Sequence, residues 1–225
     1  MLVFVVSEAW QDTYPDASVG ILAMRRVANP PHHPALEERK AALEQQLRQR
    51  FAGADRAAIK ALPAIAAYTD YYRRFRKTYH VQLQLESVVL KGKAIPSVAA
   101  LVGSMFMAEL KNMLLTAGHD LETVRMPVRI EVAQGTEQMV CMNGQEQQLK
   151  AGDMMIADVD KVLSSVIYGP DRRAQITPQT SQVLFTVYAP GGIERDAVRA
   201  HLEDIRDHVW LVTPEAEVLE LQVYG

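Results

Sequence analysis

The segment AALVGSMFMAELKNMLLTAGHDLETVRMPVRIEVA, residues 99–133, contains both kinds of pattern found in this chain. Its first part is apolar enough to be buried on most sides, which predicts a helix that ends near Gly118. Its last eight residues, MPVRIEVA, alternate apolar and polar side chains, which predicts a strand. The chain therefore changes from helical to strand patterning within this one segment.

Blocks of helix and strand extend outward from this segment in both directions. Upstream, the patterns predict strands in MLVFVVSEAW and ASVGILAMRRV, then a helix at residues 35–51, a helical stretch interrupted at Pro63, and a helix in VQLQLESVVLKGK. Downstream they predict strands in EQMVCMNGQEQQL, DMMIADVDKVLSSVIYG and SQVLFTVYAP, a helix in DAVRAHLEDIRDHV and a final strand in AEVLELQVYG. Asn143-Gly144 is a hairpin signal. Blocks of this kind favour an α+β fold, with a layered mixed β-sheet and packed helices.

The composition is typical of a soluble globular protein from a reducing compartment. The 225 residues are 48% apolar and 23% charged, which suits one domain spanning residues 1–225. The single cysteine, Cys141, excludes an internal disulfide. No stretch approaches the roughly 20 apolar residues of a membrane span, so we expect a cytoplasmic protein without a membrane partner. A net charge of −3 argues against a dedicated non-specific nucleic-acid binder.

Several common chemistries have no motif in this sequence. It has no glycine-rich phosphate loop, no H-E-x-x-H pair and no G-x-S-x-G elbow. His32 and His33 lie between prolines without a third ligand nearby, so we predict neither a metal nor a cofactor. His80, His201 and His208 lie among charged residues, and we expect them to be exposed.

Five polar residues lie close together at the end of the predicted central helix: Glu109, Lys111, Asn112, His119 and Asp120. Glu109 and Asn112 are three positions apart and share a helix face. A histidine beside carboxylates can move a proton near neutral pH. The alternative is that His119 and Asp120 only cap the helix end.

Two basic segments are candidates for binding anions. In YGPDRRAQITPQT, residues 168–180, a turn presents Arg172 and Arg173, which can grip a phosphate or carboxylate or can simply be surface charges. Between residues 71 and 93, aromatic and basic side chains alternate, which is typical of a phosphate-contacting patch. Its candidate nucleic-acid residues are Arg73, Arg74, Arg76 and Lys77, and its candidate stacking partners are Tyr71, Tyr72, Phe75 and Tyr79. The alternative is a solvated helix face whose arginine and lysine stems cover the aromatics.

Ordered motifs in residues 96–193 resemble the B3/4 domain of the phenylalanyl-tRNA synthetase beta subunit, in a free-standing form. They are GKAIPSVAALV, GHDLETV with Asp120, the run from VRIEV to MMIAD, and ITPQTSQVLFTV. Residues 1–95 then form N-terminal strands and helices, and residues 194–225 a C-terminal helix and strand. In the synthetase this domain hydrolyses the ester bond of a tRNA that is charged with a near-cognate amino acid.

The synthetase's editing residues are replaced in this chain. Its Thr-Asn pair falls on Met105 and Phe106, its histidine on Ala117, and its substrate-binding glutamate on Thr186. The resemblance therefore implies that a different polar set lines the site. We assign catalysis to His119, Glu109 and Asn112, and substrate binding to Lys111, Asp120, Met105, Phe106, Asp171, Arg172, Thr180 and Thr186.

The resemblance implies that the chain binds the aminoacyl end of tRNA and hydrolyses a mischarged ester. Deacylation requires an oriented water and a stabilised oxyanion, which such a polar set can supply. The first alternative is an RNA or aminoacyl-tRNA binding module that does no chemistry. The second is a pocket for a free amino acid.

Overall fold

The computed structural model describes all 225 residues of the chain. Its α-helices are α1 (Glu8–Thr13), α2 (Pro34–Arg50), α3 (Arg56–Lys60), α4 (Pro63–Arg74), α5 (His80–Val89), α6 (Ala100–Asn112) and α7 (Arg195–Val212). Its strands are β1 (Phe4–Val6), β2 (Ser18–Arg25), β3 (Thr116–Asp120), β4 (Val128–Val132), β5 (Gln138–Val140), β6 (Glu146–Gln148), β7 (Met154–Ala157), β8 (Val162–Ser165), β9 (Gly169–Pro170), β10 (Gln182–Ala189) and β11 (Glu217–Tyr224). This content confirms the predicted α+β class. None of the helices has the length and apolar character that crossing a membrane requires.

The strands form two sheets and one separate hairpin. The outer sheet has the order β1-β4-β7-β8-β9 and is mixed, because β1 runs parallel to β4 while the other pairs are antiparallel. The central sheet is antiparallel, with the order β11-β2-β10-β3. Strands β5 and β6 form the hairpin, and Asn143-Gly144 lies in its turn as predicted.

The central sheet lies between the outer sheet and the helices α6 and α7. On one face, Gly20 of β2 packs against Val198 and Leu202 of α7. On the other face, His119 of β3 reaches Ser164 of β8 in the outer sheet. Because both faces are covered, β2 and β10 are buried along nearly their whole length and read as continuous apolar runs.

Tyrosines of α4 close one end of the layered sheets. The Tyr68 hydroxyl donates to the Tyr188 carbonyl in β10 and accepts the Leu115 amide at 2.9 Å. The Tyr72 hydroxyl donates to the Val166 carbonyl, also at 2.9 Å. Buried backbone groups at strand ends need hydrogen-bond partners. These contacts explain why hydroxyl-bearing aromatics occupy the buried face of α4.

The central helix is shorter than the sequence predicted. Helix α6 ends at Asn112 rather than near Gly118, because Met113 adopts a left-handed conformation with φ of 60° and ψ of 31°. The chain then forms β3, whose five residues Thr116–Asp120 are all buried. A strand covered on both faces shows no alternation of apolar and polar side chains, so its sequence indicates a continuation of the helix.

The first strand is also shorter than predicted. Of its last four predicted residues, SEAW, Ser7 caps α1 and the other three begin this helix. The Ser7 side chain accepts the Trp10 amide at 3.2 Å and caps this helix. Serine is a favoured cap residue, and this local signal outweighs the apolar run that precedes it.

Replacing Gly20 with alanine is expected to lower the free energy of unfolding by about 1–3 kcal/mol. An added Cβ would lie 2.7 Å from Val198 Cγ1 and 3.1 Å from Leu202 Cδ1, so side chains of α7 would have to shift. Gly103→Ala in α6 is the matched control, because its Cβ would meet its first neighbour at 3.4 Å. A helical glycine replaced by alanine gains about 0.5–1 kcal/mol. Chemical denaturation that showed equal changes in both variants would contradict the packing of α7 on β2.

Candidate functional site

Glu109 links the end of α6 to the first residue of β3. Its side chain is buried, and Oε1 accepts the Thr116 backbone amide at 2.7 Å. Burial raises the pKa of Glu109 to about 8, against the opposing effect of that hydrogen bond. At neutral pH the carboxyl group is therefore mainly protonated and occupied by a structural contact.

Lys111 and Asn112 connect α6 to α7. Lys111 Nζ lies 2.6 Å from Asp204 Oδ1, and Asn112 Nδ2 donates to Asp204 Oδ2 at 2.8 Å. Asn112 Nδ2 also lies 3.2 Å from His201 Nδ1, while His201 Nε2 lies 2.7 Å from Thr116 Oγ1. These contacts join two helices and a strand around a buried histidine.

The histidines of α7 are not exposed as the sequence predicted. His201 is fully buried, and His208 is 3% exposed with Nδ1 at 3.1 Å from the Ser104 carbonyl. Burial lowers the pKa of His201 to about 3, so its ring is neutral. The expectation failed because both residues lie on the apolar face of an amphipathic helix that packs against α6 and the central sheet.

His119 belongs to a polar cluster between the two sheets. Its Nε2 lies 3.0 Å from Ser164 Oγ, which lies 2.7 Å from the Tyr188 hydroxyl. The pKa of His119 is lowered to about 3 by burial and, secondarily, by the charge of Arg173. His119 Nδ1 has no hydrogen-bond partner, and neither has Thr186 Oγ1. We call His119, Ser164, Thr186 and Tyr188 the inter-sheet cluster.

Of the three residues assigned to catalysis, His119 is separated from Glu109 and Asn112 by the central sheet. Side chains three positions apart in a strand point to opposite faces. Thr116 contacts Glu109 and His201 on the helical face, so His119 lies on the face toward the outer sheet. The structure therefore does not bring Glu109 or Asn112 together with His119.

Asp120 and Thr180 form a buried contact at the end of β3. Thr180 Oγ1 donates to Asp120 Oδ2 at 2.7 Å, and Asp120 Oδ1 accepts the Glu122 amide at 3.0 Å. This pair fastens the loop before β10 to the end of β3. Neither side chain is exposed to solvent.

A surface cavity of about 400 Å³ lies between the β5–β6 hairpin and the turn after β9. We call it the arginine cleft, and it is lined by Gln138, Met139, Val140, Glu146, Lys161, Asp171, Arg172, Arg173 and Gln175. Asp171 is buried, where its carboxylate accepts the Val140 and Arg173 amides at 2.8 and 2.7 Å. Of the predicted substrate-binding residues, the structure brings Asp171 and Arg172 together here.

The cations of the arginine cleft differ in how they are neutralised. Arg173 pairs with Asp158 at 3.1 Å and donates to the Thr123 carbonyl at 3.0 Å. Arg172 and Lys161 are exposed and have no carboxylate within 4.0 Å. Two unpaired positive charges therefore face this cleft.

Met105 and Phe106 lie away from the arginine cleft. Met105 packs on Gly118, where its sulfur lies 3.1 Å from the position of an added Cβ. Phe106 lines a different, mostly apolar cavity with Pro96 and Leu110. These two side chains serve the packing of α6, and they do not line a cavity with Arg172.

The aromatic residues predicted to stack with bases are part of the hydrophobic core. Their side chains are at most 7% exposed, and they are Tyr71, Tyr72, Phe75 and Tyr79. The basic residues among them remain on the surface, where Arg73 pairs with Asp70 at 2.8 Å. The structure thus corrects the stacking assignment, because the aromatic side chains of α4 and of the segment that follows it pack into the core.

Sequence reasoning missed several residues that line the arginine cleft. Lys161 and Glu146 lie far from Arg172 in the sequence, and neither belongs to a recognisable motif. Only the hairpin signal at Asn143-Gly144 indicated that a projecting element lies in this region. No group of three or more histidine, cysteine, aspartate or glutamate side chains could hold a metal ion.

Comparisons with known proteins identify a family and a similar fold. The family model described as the B3/4 domain matches residues 66–206, which is more than half of the chain. A crystal structure of an N-terminal fragment of the phenylalanyl-tRNA synthetase beta-subunit from Pyrococcus horikoshii is similar, with a TM-score of 0.50 and 13% identity. That match covers 96% of this chain and 50% of the fragment, so the chain spans about half the fragment's length. No curated protein sequence matches the chain.

Proposed function

The chain belongs to the B3/4 domain family, and on this basis we propose that its arginine cleft binds the aminoacyl end of a tRNA. The observation that carries the proposal is the pair of unpaired cations, Lys161 and Arg172, in a surface cavity of about 400 Å³. An open cavity of this size is suited to a small ligand or to one end of a larger one.

The other side chains of the arginine cleft match the remaining parts of an aminoacylated nucleotide. The guanidinium of Arg172 can grip a phosphate with two parallel hydrogen bonds, and Lys161 adds a point charge. The Glu146 carboxylate can attract the free α-ammonium group of the amino acid. Val140 offers apolar surface to its side chain, and the amides of Gln138 and Gln175 can bond to ribose hydroxyls or to the ester carbonyl.

Replacing Arg172 with alanine is expected to weaken binding by about ten- to a hundred-fold, because a charge-assisted hydrogen bond contributes about 1.5–3 kcal/mol. The ligand is a tRNA minihelix that carries alanine, leucine or tyrosine at its 3′ end through a stable amide bond. Fluorescence anisotropy at fixed salt measures the affinity. Arg39→Ala is the matched control, because Arg39 is an exposed arginine on α2 without an ion pair. Equal affinities for the two variants would contradict the assignment of this cleft.

Hydrolysis of the bound ester is a second candidate function. It is favoured by the two unpartnered polar atoms of the inter-sheet cluster, His119 Nδ1 and Thr186 Oγ1. Buried polar atoms without partners are uncommon, and a neutral imidazole nitrogen can accept a hydrogen bond from a water and orient it toward an ester. Ser164 of the inter-sheet cluster pairs with Pro170, which immediately precedes Asp171 of the arginine cleft, so the cluster lies near this cleft. In this second candidate function, Glu109 and Asn112 stabilise the junction of α6, β3 and α7.

A deacylation panel tests this second candidate. The purified protein is mixed with tRNAs charged with correct or incorrect amino acids, and loss of the ester is followed with time. Turnover of one mischarged species that His119→Gln abolishes, in a variant with an unchanged melting temperature, supports hydrolysis. If every charged tRNA keeps its ester while the protein still binds tRNA, the function is binding without hydrolysis. If a free amino acid alone stabilises the protein, the site is an amino-acid pocket instead.

A further inference from the structure

A second surface cavity, of about 560 Å³, lies where the end of α4 meets α1 and the turn before β7. It is lined by three cations and no carboxylate. The lining residues are Thr13, Tyr14, Arg74, Phe75, Arg76, Lys150, Ala151 and Gly152. We call this the α4 cavity.

The cations of the α4 cavity are held in place but not neutralised. Lys150 Nζ donates to the Phe75 carbonyl at 2.8 Å, and the Arg74 guanidinium lies 5.8 Å from the centre of the Tyr14 ring. Neither side chain, nor that of Arg76, has a carboxylate within 4.0 Å, whereas the neighbouring Arg73 is paired with Asp70. Three unpaired positive charges in one concave surface favour an anionic ligand.

Lys77 and Tyr168 lie between the α4 cavity and the arginine cleft. The Lys77 ammonium lies 5.8 Å from the centre of the Tyr168 ring, within the range of a cation–π contact. Tyr168 packs on a small apolar cluster that contains Met139 and Leu149. Met139 lines the arginine cleft, and Leu149 immediately precedes Lys150 of the α4 cavity. Lys77, which follows Arg76 in the chain, therefore extends the positive charge of the α4 cavity toward Tyr168 and this cluster.

We propose that these cations form one track that binds the phosphates of the RNA strand whose aminoacyl end lies in the arginine cleft. The basic track consists of Arg74, Arg76, Lys77 and Lys150, and it leads to Lys161 and Arg172. This proposal rests on the proposed function and adds the part of the RNA that the protein recognises.

The basic track recognises the RNA backbone and not its bases. The aromatic side chains of this region are in the core or, as with Tyr168, packed between Lys77 and the small apolar cluster. Contacts from lysine and arginine to phosphates position a nucleic acid without reading its sequence. The track therefore accepts tRNA acceptor strands of different sequence.

The experiment compares three ligands of increasing length with the full-length protein. They are an adenosine monophosphate with a 3′-amide-linked amino acid, a 5′-phosphorylated trinucleotide with the same end, and an aminoacyl minihelix. The shortest ligand reaches only the arginine cleft, and the longer ligands also reach the basic track. We expect affinity to rise about ten-fold or more with length, and Arg76→Ala/Lys77→Ala to remove this gain.

Salt dependence provides a second readout on the trinucleotide. Loss of two phosphate contacts should reduce the slope of log affinity against log salt by about 1.4 for a single strand. Arg39→Ala/Arg199→Ala removes the same net charge at exposed positions without ion pairs, and it should keep the wild-type slope. All four positions are exposed, so equal melting temperatures will establish that the variants fold.

The outcomes separate this proposal from the proposed function. If the shortest ligand fails to bind, or binds independently of Arg172, both the assignment of the arginine cleft as the binding site and the proposed track are wrong. If the shortest ligand binds normally but affinity does not rise with ligand length, the track alone is wrong. The same holds if affinity rises with length and Arg76→Ala/Lys77→Ala keeps this rise. A gain that only the track variant loses supports the proposal.

Discussion

Replacing Tyr68 with phenylalanine is expected to lower the free energy of unfolding by about 2–4 kcal/mol. Phenylalanine keeps the buried ring, which stacks on Tyr79 with centroids 4.2 Å apart, and removes only the hydroxyl. That hydroxyl donates to the Tyr188 carbonyl and accepts the Leu115 amide at 2.9 Å. Both backbone groups would then be buried without a partner, at about 1–2 kcal/mol each. Guanidinium denaturation of wild type and variant measures the loss.

Tyr224→Phe is the matched control for this prediction. The Tyr224 hydroxyl donates to a Glu220 carboxylate oxygen at 3.2 Å in a partly exposed setting, where water can replace the lost contact. We expect a change within about 0.5 kcal/mol there. If the two variants lose the same stability, Tyr68 does not join α4 to β3 and β10 as described. Because β3 and β10 carry His119 and Thr186, the same contact supports the inter-sheet cluster.

Replacing Glu109 with glutamine is expected to change the pH dependence of stability. The folded-state pKa of about 8 lies above the ordinary value of 4.5, so the folded protein holds a proton that the unfolded chain has lost at neutral pH. Stability from this group is complete below about pH 4.5 and is lost as pH rises through 8. Glutamine keeps an oxygen that can accept the Thr116 amide, and it does not titrate.

The measurement is the free energy of unfolding of both proteins from pH 6.5 to 8.5. The variant should gain about 2 kcal/mol relative to wild type over this range, which follows from 1.36 kcal/mol per pKa unit. The low pKa values of His119 and His201 affect stability too, but they are common to both proteins and do not enter the difference. Glu215→Gln, an exposed glutamate without a hydrogen bond or ion pair, should run parallel to wild type. A Glu109→Gln curve parallel to wild type would show that Glu109 titrates normally.

The placement of the polar residues changes how the α6–β3 region is interpreted. The sequence clusters Glu109, Asn112 and His119 within eleven positions, and this cluster suggested a shared catalytic site. In the structure Glu109 and Asn112 stabilise the junction of α6, β3 and α7, while His119 lies on the other face of the central sheet. The unpaired surface cations lie instead around the arginine cleft and the basic track, where we propose that the RNA binds.

Sequence reasoning was most successful where a pattern depends on neighbouring residues. The stripe of Leu36, Leu43 and Leu47 predicted α2, and these residues are buried in it. The Asn143-Gly144 pair predicted the β5–β6 hairpin, and Gly144 has the positive φ that its tight turn requires. The ordered motifs of residues 96–193 predicted the family, which the B3/4 domain match confirms.

The sequence by itself determined most helices and strands, the α+β class and the family, because each depends on spacing along the chain or on ordered motifs. Only the tertiary structure decided which face of the central sheet each polar residue occupies. The side-chain direction of a strand reverses at every residue, and a strand buried on both faces gives no pattern from which the register can be read. The arginine cleft also required the tertiary structure, since Glu146, Lys161 and Arg172 meet only when the hairpin and the turn after β9 fold against each other.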